Sequence, residues 1–528
     1  MSNLDTARFV IELAAHFGAE DFCVCAGSRN APLLAVLGAA RGVRLFSFVD
    51  ERSAAYFALG RAKLTRRPVA VVTTSGTAVA ELLPAAIEAF YAGAALLLIT
   101  ADRPQRFRHT GAPQTIEQAG IFTTYVEQCV DIDASEELPA VPSWSGRIPL
   151  HINVAFDEPL IDGAVPHLSV EAREPRRGPL SGANSRLVER AIRALERPLL
   201  LDGGLRPGDW DPVSRFALRL GAPVYAEPLS GLREDPELEP LLLRSSERIL
   251  NHGNFDGVIR VGAVPTLRFW RDLEERHRSM AVVSVSELPF PGLTRGAMVQ
   301  GDLAAILDGV RPESFSADAA LMRRDRVKAA AIEQLLEQEP ASEPALVRAI
   351  SRALPQTARI FLGNSLPVRE WDLAALRSPN AWSMEANRGA NGIDGEVSTF
   401  LGQCDESVEN WALVGDLTAV YDFNAPWIVR QISPATRFVI VVLNNGGGRI
   451  FSRVASLTDL EPSTRERLIE TAHSLRFRDW ASMWSLPYAV VEGTESFPSM
   501  ERGVLEIVVD ADATQRFWAA YDALWSER

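Results

Sequence analysis

The sequence predicts an α/β protein built as three doubly wound parallel-sheet domains, and three features carry that prediction. Short β-rich runs alternate with longer helical patterns through most of the chain, as at 22–25, 45–49, 69–73 and 95–100. These runs are continuously apolar rather than alternating, the pattern of strands covered on both faces. The length of 528 residues leaves room for three or four domains at roughly 150 residues each.

In chain order, residues 1–18 read as an amphipathic helix with acids in it, unlike a secretion signal. The four βα units that follow belong to a first domain, 1–178. Residues 171–187, EAREPRRGPLSGANSRL, are charged, carry Pro and Gly, have no apolar period, and read as a linker. A second domain, 185–315, opens with a helix at 185–196 and a strand at 198–201. It continues through Gly203-Gly204 to strands near 257–261 and 280–285. A second break at 311–325 precedes a third domain, 325–528, with a helix, a strand at 359–362 and further βα units.

Composition narrows the function. Hydrophobic residues make up 47% and charged residues 23%, ordinary globular usage, and the formal net charge is −14. A surface this acidic repels phosphate backbones and anionic lipid, so no nucleic acid is expected as a partner. Any small anion must be met by a local cluster of arginines. The longest apolar runs, 92–99 and 438–443, fall far short of the roughly 20 residues that span a bilayer, so no membrane insertion is expected. Four scattered cysteines make no disulfide framework and suit a cytoplasmic protein. Cys23 and Cys25, one residue apart, would face the same side of a strand. The seven histidines are dispersed, and neither a Ser-His-Asp hydrolase nor a His zinc site finds support.

The chemistry concentrates near the C-terminus. A strand at 412–414 ends in Gly415-Asp416, and a second at 438–443 ends in Asn444-Asn445-Gly446-Gly447-Gly448. One βαβ crossover joins them, so Asp416 and Asn445 come side by side at the C-terminal rim of a parallel sheet, where α/β proteins bind ligands. Carboxylate, carboxamide and backbone carbonyl oxygens are hard ligands suited to Mg²⁺. The glycines allow a diphosphate to approach the backbone closely. Glu51, where the strand at 45–49 meets a helix at 53–63, could instead be an ordinary helix-start acid complementing the dipole.

An ordered set of motifs then resembles the 2-succinyl-5-enolpyruvyl-6-hydroxy-3-cyclohexene-1-carboxylate (SEPHCHC) synthases, a thiamine-diphosphate enzyme family of menaquinone and phylloquinone biosynthesis. The set is GSRNAPL (27–33), DERSAAYFALG (50–60), TTSGTA (73–78), TADRP (100–104), GNSLPVR (363–369), NRGANGIDG (387–395), GDLTAVYDFN (415–424) and NNGGGRIF (444–451). It runs along nearly the whole chain and is weakest in the middle block. The resemblance implies a pyrimidine-binding, a central and a diphosphate-binding domain, in that order. It implies decarboxylation of 2-oxoglutarate and 1,4-addition of the succinyl carbanion equivalent to isochorismate. Thiamine diphosphate and Mg²⁺ (or Mn²⁺) are the implied cofactors. It assigns Glu51 to the cofactor's aminopyrimidine as the catalytic acid, and Asp416, Asn445 and Gly447 to the metal. Thr74, Leu417, Ile450 and Phe451 would line the cofactor, with Ile393 as the wedge that holds it bent. Ser28, Arg29, Arg103, Gln114, Arg268, Ser365, Arg369 and Arg388 would meet the substrates, each a dicarboxylate that guanidinium forks suit. In this fold Glu51 of one subunit faces the diphosphate site of another, so a homodimer or dimer of dimers is implied.

Three positions depart from the family's usual pattern or from thiamin enzymes at large. VPTLRFW (264–270) keeps only Arg268 of a usual basic pair. Arg449 follows the three glycines, where its charge could alter cofactor affinity. Leu417 stands where most thiamin decarboxylases have Gly; in this family Leu is expected there. The alternatives are another thiamin 2-oxoacid decarboxylase or acetolactate-synthase-type carboligase with a flavin in the middle block, and a non-catalytic relative that binds a metabolite.

Overall fold

A computed structural model describes the chain apart from residues 1, 172, 176–177, 179–183, 378–381, 458, 494–496 and 527–528. The linker reading at 171–187 falls partly on residues outside that description. Three all-parallel sheets follow one another along the chain. The first runs Arg44–Phe48, Asp21–Cys25, Val69–Thr73, Leu96–Asp102, Leu150–Ala155, Cys129–Asp133. The second runs Val224–Ala226, Pro198–Asp202, Gly257–Val261, Ala281–Ser286, Ala297–Gln300. The third runs Ser383–Glu385, Ala358–Leu362, Glu409–Gly415, Phe438–Asn444, Arg502–Val508, Tyr488–Glu492. In each, the strand order reverses beside the unit's first strand, opening a crevice at the C-terminal edge.

The expected strands are all present, and several extend a residue or two beyond the apolar run. Leu96–Asp102 continues through Ala101 and Asp102, and Glu409–Gly415 begins at polar Glu409 and Asn410. Ladder hydrogen bonds, not hydrophobicity, set those ends. Cys23 and Cys25 are both buried in one core cluster, as alternation requires. The break read at 311–325 ends earlier. The Asp318 side chain caps helix Ala319–Gln338 by accepting from the Ala320 and Leu321 N–H groups, so residue 325 lies inside a helix. Among the described residues, no helix is long and apolar enough to cross a membrane.

The first and third units meet through helices Glu51–Thr65 and Glu396–Gln403. A β-carbon built at Gly60 would lie 2.1 Å from the Thr399 carbonyl oxygen, and one at Gly402 would lie 2.2 Å from that of Phe57. Only glycine admits backbones this close. Around this contact, side chains of both units share one core. At its edge Arg52 donates to the Tyr421 carbonyl (2.8 Å) and Trp427 Nε1 to that of Ser47 (2.9 Å). The second unit joins the third through Arg233, whose fully buried guanidinium donates to the carbonyls of Trp371 (3.1 Å), Asp372 (3.0 Å) and Ala375 (3.2 Å).

In the second unit the crevice is filled by its own loops. A β-carbon at Gly203 would sit 2.2 Å from the Ala263 carbonyl oxygen. Beneath it Asp202 is fully buried, neither carboxyl oxygen has a hydrogen-bond partner among the described residues, and burial pushes its pKa up to about 8. Between the ordinary carboxylate range and that value the folded chain holds a proton that the unfolded chain has lost. Rising pH therefore removes stability through this window. Asp202→Asn carries no such proton, so its thermal midpoint should fall less than the parent's between pH 5 and pH 8. Equal falls in the two proteins would show that Asp202 is not held neutral.

Candidate functional site

At the edge of the third sheet, Glu409–Gly415 and Phe438–Asn444 are parallel neighbours, and Asp416 and Asn445 follow their ends. Asp416 is 2% exposed. Its Oδ2 accepts the N–H groups of Gly446 (2.8 Å) and Gly447 (3.0 Å), and its Oδ1 accepts that of Leu417 (2.6 Å). Burial raises its pKa, and these N–H groups together with the His473 ring, 3.5 Å away, pull it back down. The loop after Asn445 is shaped by Gly447, with φ +136°, where a β-carbon would lie 2.6 Å from the Glu470 carbonyl oxygen. Asn445 Nδ2 donates to both oxygens of buried Glu343, at 2.9 and 3.1 Å. That bond turns Asn445 Oδ1 away from Glu343, and this buried oxygen has no partner among the described residues. An orphaned amide oxygen in the loop beside a buried carboxylate fits a hard divalent cation, while the Gly447 carbonyl accepts the Arg449 N–H at 2.9 Å. Among the described residues no three His, Cys, Asp or Glu side chains converge as a metal site would require.

The edge of the first sheet carries the second group. Glu51 is the first residue of its helix, after the Asp50 cap, and is half-buried. Burial raises its pKa, its own backbone N–H lowers it, and the nearby charges of Asp50 and Glu81 raise it further. Burial, and then the negative charges of Glu51 and Asp50, raise the Cys25 thiol; Glu51 follows strand Arg44–Phe48, the parallel neighbour of Asp21–Cys25. Gly27 abuts Thr74: a β-carbon on it would lie 2.4 Å from that of Thr74. Exposed Ser28 and buried Arg29 follow. Arg29 donates to the Phe156 carbonyl (3.0 Å) and feels the positive charge of Arg103. Arg103 donates to the Pro113 carbonyl (2.9 Å) beside exposed Gln114, whose φ is +54°. Gln118 fixes this loop: its Oε1 accepts the Gly76 N–H (2.9 Å), and its Nε2 donates to the Ala101 carbonyl (3.1 Å) and to Asn153 Oδ1 (2.9 Å).

The third group lies over strand Ala358–Leu362. Ser365, at φ +70°, precedes helix Leu366–Ala374, which carries Arg369. Arg388 Nη1 donates to Asn364 Oδ1 (2.7 Å). Burial lowers both guanidinium pKa values, that of Arg388 to about 10, while Glu227 opposes the shift at both and Glu247 at Arg369. Glu227 is pushed by burial to about 7, and its Oε1 accepts from the Thr266 N–H (3.0 Å). The Arg268 side chain is exposed and bonds Asp272 on its own helix (2.8 Å). Arg449 donates to Glu470 (2.7 Å) and to the Asn445 carbonyl (3.2 Å). Ile393 and Ile450 are half-buried, and Phe451 is 38% exposed.

Comparisons with known proteins agree with this geometry. Residues 4–121 match the family described as thiamine pyrophosphate enzyme, N-terminal TPP binding domain. A SEPHCHC synthase of Bdellovibrio bacteriovorus is 40% identical over the full length of both chains. The chain belongs to the SEPHCHC synthase family. A synthase of Akkermansia muciniphila is also 40% identical, over 97% of each chain. The crystal structure of benzoylformate decarboxylase from Polynucleobacter necessarius superposes with a TM-score of 0.69, covering 96% of this chain and 98% of that one. At 16% identity it shows the shared thiamin-enzyme fold alone.

Sequence reasoning missed Glu343, Glu227, Glu247 and His473, which lie in or after unremarkable stretches, and gave no role to Asn364 inside GNSLPVR. Glu343 is itself a helix-start acid after the Ser342 cap, so its local pattern matches that of an ordinary dipole-complementing acid. Gly447→Ala tests the glycine loop. It should unseat the two N–H donors to Asp416 and weaken Mn²⁺ binding at least tenfold, on the order of one to two lost hydrogen bonds to a charged group. Titration of free Mn²⁺ by electron paramagnetic resonance, with thiamine diphosphate present, reads this directly. Unchanged binding would show that the loop does not shape a metal site.

Proposed function

We propose that this chain is a thiamine-diphosphate- and Mg²⁺-dependent transferase (Mn²⁺ serving equally as a hard cation). It decarboxylates 2-oxoglutarate and adds the succinyl carbanion equivalent 1,4 to isochorismate, yielding SEPHCHC and CO₂ in menaquinone biosynthesis. The observation that carries this reading is the partnerless, buried Asn445 Oδ1 beside Asp416, in a chain matched to the synthases from end to end.

When bound, thiamine diphosphate supplies a nucleophilic carbon and an electron sink for the decarboxylation. Asp416, Asn445 and the Gly447 carbonyl would hold the metal, and the N–H groups of the glycine loop would face the diphosphate. Thr74, Leu417, Ile393, Ile450 and Phe451 would enclose the cofactor and exclude water. Glu51, its pKa raised by burial, would hold a proton at the aminopyrimidine nitrogen. Ser28, Arg29, Arg103, Gln114, Ser365, Arg369 and Arg388 would orient the two dicarboxylates, with Arg268 reaching them only by leaving Asp272. Arg29 and Arg103 lie on the first unit and Arg369 and Arg388 on the third, so the site needs both.

A cytoplasmic homodimer or dimer of dimers follows. Residues 1–178 would bind the pyrimidine, 185–315 would form the central domain, and 325–528 would bind the diphosphate. For the acetolactate-synthase alternative, a flavin in the central unit would have to displace the Gly203–Ala263 contact.

Incubation with both substrates and thiamine diphosphate should give SEPHCHC, and omission of isochorismate should abolish carbon–carbon bond formation. Product formation from pyruvate alone would overturn the assignment in favour of a carboligase. Glu51→Gln should keep cofactor binding yet lower turnover by at least about 100-fold, the usual scale of acid–base assistance. Near-normal turnover would remove Glu51 from the mechanism. Chelation should abolish activity, and Mg²⁺ or Mn²⁺ should restore it; activity that survives chelation would refute the metal assignment.

A further inference from the structure

We infer that Glu88 is a positioning residue for the substrate loop of its own chain: it fixes residues 386–395, which carry Arg388 and Ile393, onto the first unit. The inference rests on the reading above only for what the loop binds.

Glu88 is an acid in an otherwise apolar helix, Leu83–Ala92 (LPAAIEAFYA), and is 2% exposed. A carboxylate buried there is costly unless its oxygens are hydrogen-bonded. Both oxygens find partners across the unit boundary. One accepts the Gly389 N–H at 2.8 Å and the other accepts the Ala390 N–H at 2.6 Å. These two consecutive backbone donors flank Arg388 on its C-terminal side. The loop also lies flat on the helix: a β-carbon at Gly389 would be 2.8 Å from the Glu88 carbonyl oxygen and 2.9 Å from the Tyr91 β-carbon.

Two further first-unit groups grip the same loop. Lys63 Nζ donates to the Ala386 carbonyl and the Tyr56 hydroxyl donates to Asp394, both at 2.6 Å. From within the third unit, Asn364 Nδ2 donates to the carbonyls of Asn387 and Gly392, and Asn364 Oδ1 accepts from Arg388, all at 2.7 Å. The loop is thus held at its start, its middle and its end by the first unit, and Asn364 sets the direction of the Arg388 fork. Glu88 is the grip nearest to that fork. Its negative charge also acts on Arg388, as do those of Glu227 and Glu396.

The test uses the full-length chain without ligands. In Glu88→Ala the amides of Gly389 and Ala390 should exchange hydrogen at least about tenfold faster, the scale of losing charge-assisted hydrogen bonds. Glu88→Gln, whose single carbonyl can replace only one of the two acceptors, should show an intermediate effect. In the assay both variants should raise KM for at least one dicarboxylate more than they lower kcat. Exchange no faster than in the parent would overturn the clamp. Faster exchange with unchanged KM would overturn the positioning role. A parent that makes no SEPHCHC while its variants still show faster exchange would sink the functional reading and leave the clamp standing.

Discussion

Two helix backbones, those of Glu51–Thr65 and Glu396–Gln403, touch where Gly60 faces Thr399 and Gly402 faces Phe57. No side chain can enter that plane, so the first and third units are locked in one relative orientation, which a layer of ordinary side chains would leave looser. The rest of the site inherits this orientation. Glu51 begins one of the two helices, and the loop bearing Arg388 leads into the other. Tyr56 and Lys63, which hold that loop, project from the first helix. The small residues of SAAYFALG are therefore a geometric requirement of the site as much as a packing preference.

The charge balance follows from the same architecture. A chain of net charge −14 concentrates guanidinium groups where dicarboxylates would be held, and then partly neutralises them. Arg369 is opposed by Glu227 and Glu247, Arg388 by Glu227, Glu396 and Glu88, and Arg29 by Glu158. Buried cations without counter-charges would be costly in the empty protein. Acids such as Glu227, raised by burial to about 7, can moderate that cost without a full permanent charge.

Much of this was legible in the sequence. Continuous apolar runs gave the strands of parallel sheets, and the spacing of Asp416 and Asn445 across one crossover gave their adjacency. What stayed hidden has a common physical origin. Glu88, Glu343 and Glu227 act by long-range contact with backbone or side-chain donors, and nothing local marks a carboxylate that will find its partner hundreds of residues away, as Glu88 does at Gly389. Arg268 and Arg449 show the converse. Each sits in a suggestive motif, yet a nearby acid, Asp272 or Glu470, captures its guanidinium.

The first and third sheets share one strand order, and the two touching helices occupy the same place in each, between the second and third strands of the unit. Both helices begin with glutamate. In the third unit Glu396 is fully buried and its pKa is raised to about 8. It accepts the Asn364 N–H at 2.8 Å, bracing the segment that aims Arg388. In the first unit Glu51 is only half-buried, and its carboxyl hydrogen-bonds its own backbone N–H. The same topological position thus holds a fully buried acid bonded to a neighbouring loop in one unit and a half-buried acid in the other. The difference lies in the loop after the first strand. Gly363-Asn364 passes within reach of Glu396: a β-carbon at Gly363 would lie 3.0 Å from its Oε2. Gly27 packs on Thr74 instead, and the Gly27 N–H is taken by Asn30 Oδ1 at 2.9 Å. By turning that loop onto Thr74, the fold leaves Glu51 half-buried at the start of its helix and bonded to its own N–H, where Glu396 is bonded to the loop.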